Sequence, residues 1–256
     1  MKSKGGFMSQ ARTIIALIAG ITIGGAVVAG TGFSGGGLSK PEVETVVKDF
    51  ISANPNLIVE SLQKWQQEQQ KMRMSGAADA LKDPALREAI YNNPNSPSIG
   101  PVDAKAVVVE FFDYNCPACK SAFKALDELQ TKDKNVKIIF KEFPIFGPQS
   151  DTNSKIGIAV FKLAPEKYFD FHRKMMTFEG RADEAQALKF VKEIGLDSDK
   201  VKSEIAKPEY TEILGHLREI GQKLSIQGTP SFIIGNELVP HALDYQGLEE
   251  KVSKLR

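Results

Sequence analysis

Residues 107–126 read VVVEFFDYNCPACKSAFKAL and hold both cysteines of the 256-residue chain, Cys116 and Cys119. Two patterns meet here. AVVVEFFDY, from residue 106, is β-branched and aromatic and predicts a buried strand. CKSAFKALDELQ, from residue 119, spaces Phe123, Leu126 and Leu129 as one helical face. Between them Pro117 suits the first helical position, where a missing N–H costs nothing. Cys116 is then the N-cap and Cys119 the third helical residue. An N-cap side chain meets the free N–H groups of the first turn, and the helix dipole favours an anion there. Both effects predict a Cys116 thiol more acidic than the ~8.5 of a free cysteine. Cys119 lies under the first turn, further from water. The geometry therefore separates two roles: Cys116 exchanges with an incoming sulfur, and Cys119 resolves the mixed disulfide.

Other uses of the pair weigh less. Zinc takes four ligands, yet there is no second CxxC, and His172, His216 and His241 lack ligand spacing. A staple closing so short a loop removes little unfolded-chain entropy. Soft Cu(I) suits two thiolates and stays open as an alternative.

The first residues set the compartment. Lys2, Lys4 and Arg12 precede TIIALIAGITIGGAVVAG, an uncharged run with small residues up to Ala29. That is the layout of a secretory signal, 1–29, cleaved to leave a chain starting near Gly30. The run also has about the length that spans a bilayer, so an uncleaved inner-membrane anchor is the second form of the same expectation. Gly20 and Gly24 form a weak GxxxG pair. Either form places the body in the periplasm or cell envelope, where a disulfide persists. A net charge of +1, with 42% hydrophobic and 25% charged residues, describes an ordinary globular protein and argues against a nucleic-acid binder. No cofactor is expected.

Beyond the leader, Val43, Val46, Val47, Phe50 and Ile51 share one helical face. Asn54-Pro55 interrupts it, and Leu57, Ile58, Leu62 and Trp65 begin a second face. Two short amphipathic helices make no core of their own. The apolar faces of segment 40–75 therefore need a partner, the chain's own catalytic domain or a second copy. Self-association is favoured, as a dimer, because symmetric pairs are the commonest assemblies. A broken helical connector and a Pro/Asn-rich linker fill 76–100. From 101 to 256 the order is strand, helix, strand, a helical stretch over about 150–224, strand, turn, strand start and helix.

FFDYNCPACK, this alternation and GTPSFIIG together resemble the DsbA-like branch of the thioredoxin superfamily over about Val102 to Arg256. The resemblance implies an α/β thioredoxin fold with an inserted helical domain, preceded by an N-terminal helical oligomerisation segment. It implies a cis peptide before Pro230, facing the cysteines, with the backbone of Thr229 pairing an extended substrate. It also implies that Glu110 exchanges a proton with Cys119. Such a carboxyl inside an apolar strand is costly to bury unless it has a partner or a part in the chemistry. Lys141 on the next strand is the candidate ion-pair partner. The branch's strong oxidases carry His between the cysteines, whereas this chain has Pro117-Ala118, so a less oxidising disulfide is expected. The function expected is an exported protein thiol–disulfide oxidoreductase, with isomerase or mixed activity favoured. Its partners would be unfolded or wrongly bridged exported proteins and a membrane redox protein.

Overall fold

The computed structural model describes residues 39–256, so the predicted leader lies outside the described residues. Two compact units divide between Ile58 and Val59. In the first, helix α1 (Lys40–Ala53) opens on a Glu42 carboxylate that accepts from Ser39 N and Oγ at 2.8 and 2.7 Å. Its apolar residues Val43, Val46, Val47, Phe50 and Ile51 are all exposed, and it buries no side chain. Asn54 ends α1, and α2 (Pro55–Ala80) starts at the proline. The sequence suggests a break near residue 75, but α2, 26 residues long, runs on through it to Ala80. Leu, Gln, Glu, Lys, Met and Ala are strong helix formers, and a lone Gly76 costs only about 1 kcal/mol. Among the described residues no helix is long and apolar enough to cross a membrane.

The second unit is built on a five-stranded sheet ordered β1-β3-β2-β4-β5. The strands are β1 (Ser98–Ile99), β2 (Ala106–Phe112), β3 (Val136–Glu142), β4 (Ser231–Ile234) and β5 (Glu237–Val239). β2 is central, which is why it reads as a continuous apolar run rather than an alternating one. It pairs parallel with β3, Val108 opposite Ile138, and antiparallel with β4, Val109 opposite Ile233. β1, two residues at the end of the predicted linker, adds an antiparallel edge to β3; so short a strand carries no sequence period. β4 and β5 turn at Gly235, whose φ of 63° suits glycine.

Helix α3 (Pro84–Tyr91) precedes the sheet, and α4 (Pro117–Lys132) crosses from β2 to β3. Five helices then intervene before β4: α5 (Pro148–Leu163), α6 (Tyr168–Thr177), α7 (Glu184–Glu193), α8 (Ser198–Ile205) and α9 (Pro208–Lys223). α10 (Tyr245–Ser253) closes the chain. One sheet face packs Phe112 and Phe140 against His172 of α6, with Phe123 of α4 at 5.4 Å from the same ring. The other face carries Lys141 toward α3 and Phe143 toward Gly221 of α9, where a Cβ would meet the Phe143 ring at 2.4 Å. This is a thioredoxin fold whose two halves, β2-α4-β3 and β4-β5-α10, are separated by a helical insertion.

Candidate active site

The buried strand β2 delivers the chain to the start of α4, where Cys116 is the N-cap with φ −82° and ψ 117°. Its Sγ accepts from Cys119 N at 3.4 Å and lies 3.3 Å from the Thr229 carbonyl oxygen. Thr229 precedes a cis Pro230, and Ser231 Oγ donates to Gly228 O at 2.7 Å to close that loop. The two sulfurs are unbonded, so the structure is the dithiol form. Cys116 keeps 2% of its surface exposed and Cys119 none. Both cysteines are buried, the second completely.

The acidity of Cys116 follows from its neighbours. The Cys119 thiol is the largest influence, ahead of the desolvation that opposes it; the Thr229 side chain and the Cys119 and Ala118 amides add to the lowering, and the pKa falls to about 6. The helix start contributes, but the second cysteine contributes more than the sequence suggests. For Cys119, burial dominates and pushes its thiol far above the ordinary range. The pair therefore holds one sulfur as an anion and the other as its hydrogen-bond donor.

Glu110 is wholly buried on β2, and neither carboxyl oxygen has a hydrogen-bond partner. Burial, and secondly the charge on Cys116, raise its pKa to about 8. The expected ion pair with Lys141 does not form. In the parallel register Glu110 lies opposite Phe140, and Lys141 opposite Phe111, so the two side chains leave opposite faces of the sheet. Lys141 Nζ instead donates to Ala89 O at 3.0 Å and Ser96 Oγ at 2.7 Å, and burial lowers its pKa to about 7. It ties β3 to α3 and the following linker, away from the sulfurs.

Three residues that sequence reasoning passed over fasten the turn that carries Cys116. Asp113 accepts from Asn115 N, Ile145 N, Phe146 N and Ser150 Oγ at 2.7, 2.8, 3.0 and 2.8 Å. Tyr114 Oη lies 3.3 Å from His172 Nδ1. Its oxygen also approaches Glu142, a second buried carboxyl held well above its ordinary range by burial; a Cβ on Gly157 would meet both, at 2.8 and 2.7 Å. Asn115 Oδ1 accepts from Ala182 N at 2.8 Å, and its Nδ2 donates to Ala182 O at 3.1 Å. Replacing Asn115 with Ala leaves a buried Ala182 N–H unpaired, which costs about 1–3 kcal/mol. Urea unfolding should show that loss as a lower midpoint at unchanged slope.

Comparison with known proteins agrees with this fold. A thioredoxin family model matches residues 92–254. The chain belongs to the thioredoxin family. Within it, the chain is a DsbA-like thiol–disulfide oxidoreductase. Disulfide bond formation protein D of Bacillus subtilis is 26% identical over 182 residues, covering 65% of this chain and 81% of that protein. A linker-deletion mutant of Proteus mirabilis ScsC superposes with a TM-score of 0.65 at 29% identity, covering 87% of this chain and 98% of that one. A periplasmic thioredoxin-like protein of Salmonella enterica serovar Typhimurium gives 0.63 at 26% identity, covering 68% and 97%. In this thioredoxin-family chain His172 is a core residue, not a ligand: burial, and then Arg173, lower its pKa to about 3. Among the described residues no group of three or more His, Cys, Asp or Glu is placed to hold a metal ion.

Proposed function

We propose that this chain is an exported oxidoreductase that makes and rearranges disulfides in envelope proteins, with Cys116 as the exchanging sulfur. The observation that carries the reading is the placement of Cys116 as the N-cap of α4, its Sγ 3.4 Å from the Cys119 amide and 3.3 Å from the Thr229 carbonyl before the cis proline, a setting that lowers its thiol to about 6. As an isomerase, the Cys116 thiolate attacks a substrate disulfide: one S–S bond forms, the old one breaks, and a substrate thiolate leaves. That thiolate attacks elsewhere in the substrate, and a later attack on the mixed disulfide returns Cys116. As an oxidase, a substrate thiolate attacks Cys116 in the disulfide form, expelling Cys119, which takes a proton. A second substrate thiolate then attacks the mixed disulfide, which forms the substrate disulfide and leaves the Cys116/Cys119 dithiol to be reoxidised by a membrane redox protein. Glu110, buried beneath the pair, is the proton carrier for Cys119. The backbone of Thr229 pairs the extended substrate, a form of strand addition. The basic, apolar, small-residue leader supports export, and the Salmonella neighbour's periplasmic setting is consistent with it.

The isomerase side of the reading rests on self-association. Val43, Val46, Val47, Phe50 and Ile51 are 44–57% exposed on α1, and such a stripe is a protein-interaction surface. The Proteus match, covering 87% of this chain, extends over more than the catalytic unit. A second copy is the partner that fits, a dimer by symmetry. Removing everything before Gly100 is a poor test, because Lys141 would lose Ala89 and Ser96. Val47→Glu with Phe50→Glu alters only exposed positions. That variant should sediment as a smaller species and lose refolding of scrambled ribonuclease while still oxidising reduced ribonuclease. Full isomerase activity in a monomeric variant would remove the oligomer from the mechanism.

A second reading, Cu(I) carriage, uses the same sulfurs: a thiol at about 6 is a ready thiolate ligand. Tight Cu(I) binding without turnover of any disulfide substrate would favour it.

A further inference from the structure

Glu142 is a buried carboxyl that the exchange chemistry leaves unused. It ends β3 and is 1% exposed. In the parallel register it lies opposite Phe112, and Glu110 lies opposite Phe140, so both carboxyls share the sheet face that packs on His172. The groups that bear on it are Glu110 of β2, Asp113 and Tyr114 of the turn, Ser154 of α5 and Tyr168 of α6. Neither of its oxygens accepts a hydrogen bond. A carboxylate ion buried without donors is strongly disfavoured, whereas a protonated carboxyl needs only an acceptor for its O–H. Tyr114 Oη is placed to be that acceptor. A Cβ on Gly157 would meet Glu142 Oε1 at 2.7 Å and Tyr114 Oη at 2.8 Å, so glycine at this point of α5 is what leaves both oxygens in place. Tyr114 Oη in turn lies 3.3 Å from His172 Nδ1.

We infer that Glu142 is a positioning residue for Cys116, a neutral carboxyl whose O–H donates to Tyr114 Oη and so fixes the turn that makes Cys116 a helix cap. This deepens the proposed exchange at Cys116 and rests on it for the use made of the thiolate. The chain of donors has one direction: Glu142 gives its proton to Tyr114 Oη, and the Tyr114 O–H gives to Nδ1 of a His172 ring that burial keeps neutral. Burial is also the main cause holding the Glu142 carboxyl well above its ordinary range; Ser154 and Tyr114 oppose it, and the charges of Asp113 and Glu110 add to it. Tyr114 sits two residues before Cys116 in the turn that Cys116 N closes by donating to Asp113 O at 3.1 Å. The path of that turn sets where Cys116 Sγ stands relative to Cys119 N, 3.4 Å away. A turn freed on its Tyr114 side therefore holds the sulfur less well against the donors that make it acidic.

The test is the pH midpoint of Cys116 alkylation by iodoacetamide, which needs no disulfide substrate. Glu142→Met keeps the length of the side chain and removes the O–H. Its midpoint should lie above wild type by on the order of half a unit, a threefold loss of acidity. Glu142→Gln keeps a donor at the same place and should restore the wild-type midpoint. Tyr114→Phe keeps the ring that packs on Phe112 and Phe171 and removes the oxygen, so its midpoint should rise as in Glu142→Met. The double variant Tyr114→Phe with Glu142→Met should rise no further, because the two act through one contact. A purely structural role would lower the urea midpoint and leave the alkylation midpoint unmoved. An unmoved or lowered alkylation midpoint in natively folded Glu142→Met overturns the proposal, as does a rise in Glu142→Gln equal to that in Glu142→Met, or additive shifts in the double variant. If Glu142→Met does not fold, Tyr114→Phe decides by the same midpoint. The exchange reading fails by a different result, the absence of turnover of any disulfide substrate by wild type.

Discussion

Cys116→Ser is expected to lower disulfide exchange by more than about 10³-fold, because a hydroxyl does not replace the attacking or attacked sulfur of thiol–disulfide exchange. Cys119→Ala should behave differently. Its Cys116 still attacks, but the neighbouring thiol that resolves the product is gone, so a mixed disulfide with substrate accumulates and is visible by mass spectrometry. The same variant should also titrate differently. The Cys119 thiol is the largest cause of the lowered Cys116 pKa, so its removal moves the alkylation midpoint upward from about 6. In wild type the rate of iodoacetamide alkylation should rise through that midpoint and level off by neutral pH. A thiol with pKa about 6 is roughly nine-tenths thiolate at pH 7, against about 3% for a free cysteine at ~8.5. A wild-type midpoint near the free value would remove the basis for Cys116 as nucleophile. An unmoved midpoint in Cys119→Ala would show that the helix start, rather than the neighbouring thiol, sets the acidity.

The contrast between Cys116 and Lys141 shows which parts of such a site a sequence carries. The N-cap position of Cys116 depends on four consecutive residues, with Pro117 marking the first helical turn and Val107–Phe112 marking the strand before it. Glu110 stands out for a similar local reason, as one carboxyl in an apolar run. Lys141 depends on the register between strands about thirty residues apart, and a shift of one residue sends a side chain to the other face. Nothing in either strand's composition fixes that register, and the side chain that looked like a partner for Glu110 serves α3 instead. Asp113 and Asn115 were hidden by the same distance effect. Before a helix, Asp-Tyr-Asn reads as an ordinary polar turn, yet its acceptors and donors meet Ile145, Phe146, Ser150 and Ala182. Burial of all three turn residues is a property of the inserted helices that close over them.

Glu110→Gln should make the protein more stable at alkaline pH and slower to resolve its mixed disulfides. The carboxyl titrates at about 8 in the folded protein, against ~4.3 in an unfolded chain. Between those values the folded state holds a proton that the unfolded state has released, so wild-type stability falls as pH rises through that window. Above pH 8 the accumulated cost is on the order of 5 kcal/mol at 1.36 kcal/mol per unit. Below pH ~4.3 both states are protonated and the cost vanishes. Gln has nearly the same shape and no charge, so variant and wild type should unfold alike near pH 4 and diverge as pH increases. At ~2–4 °C per kcal/mol for a chain of this size, the gap at pH 8 should reach about 10–20 °C in Tm. The charge on Cys116 is the second cause of the raised carboxyl pKa, so the divergence should be smaller in the disulfide form, which has no thiolate. The kinetic effect has the same origin. Cys119 is buried and cannot shed its proton directly to water. Without a carboxylate to receive it, the mixed disulfide should persist longer, and the rate of resolution should lose its rise near pH 8. Identical stability–pH curves for the two proteins would mean that Glu110 reaches solvent. A stability gap with unchanged resolution would leave it a buried cost without a part in the chemistry.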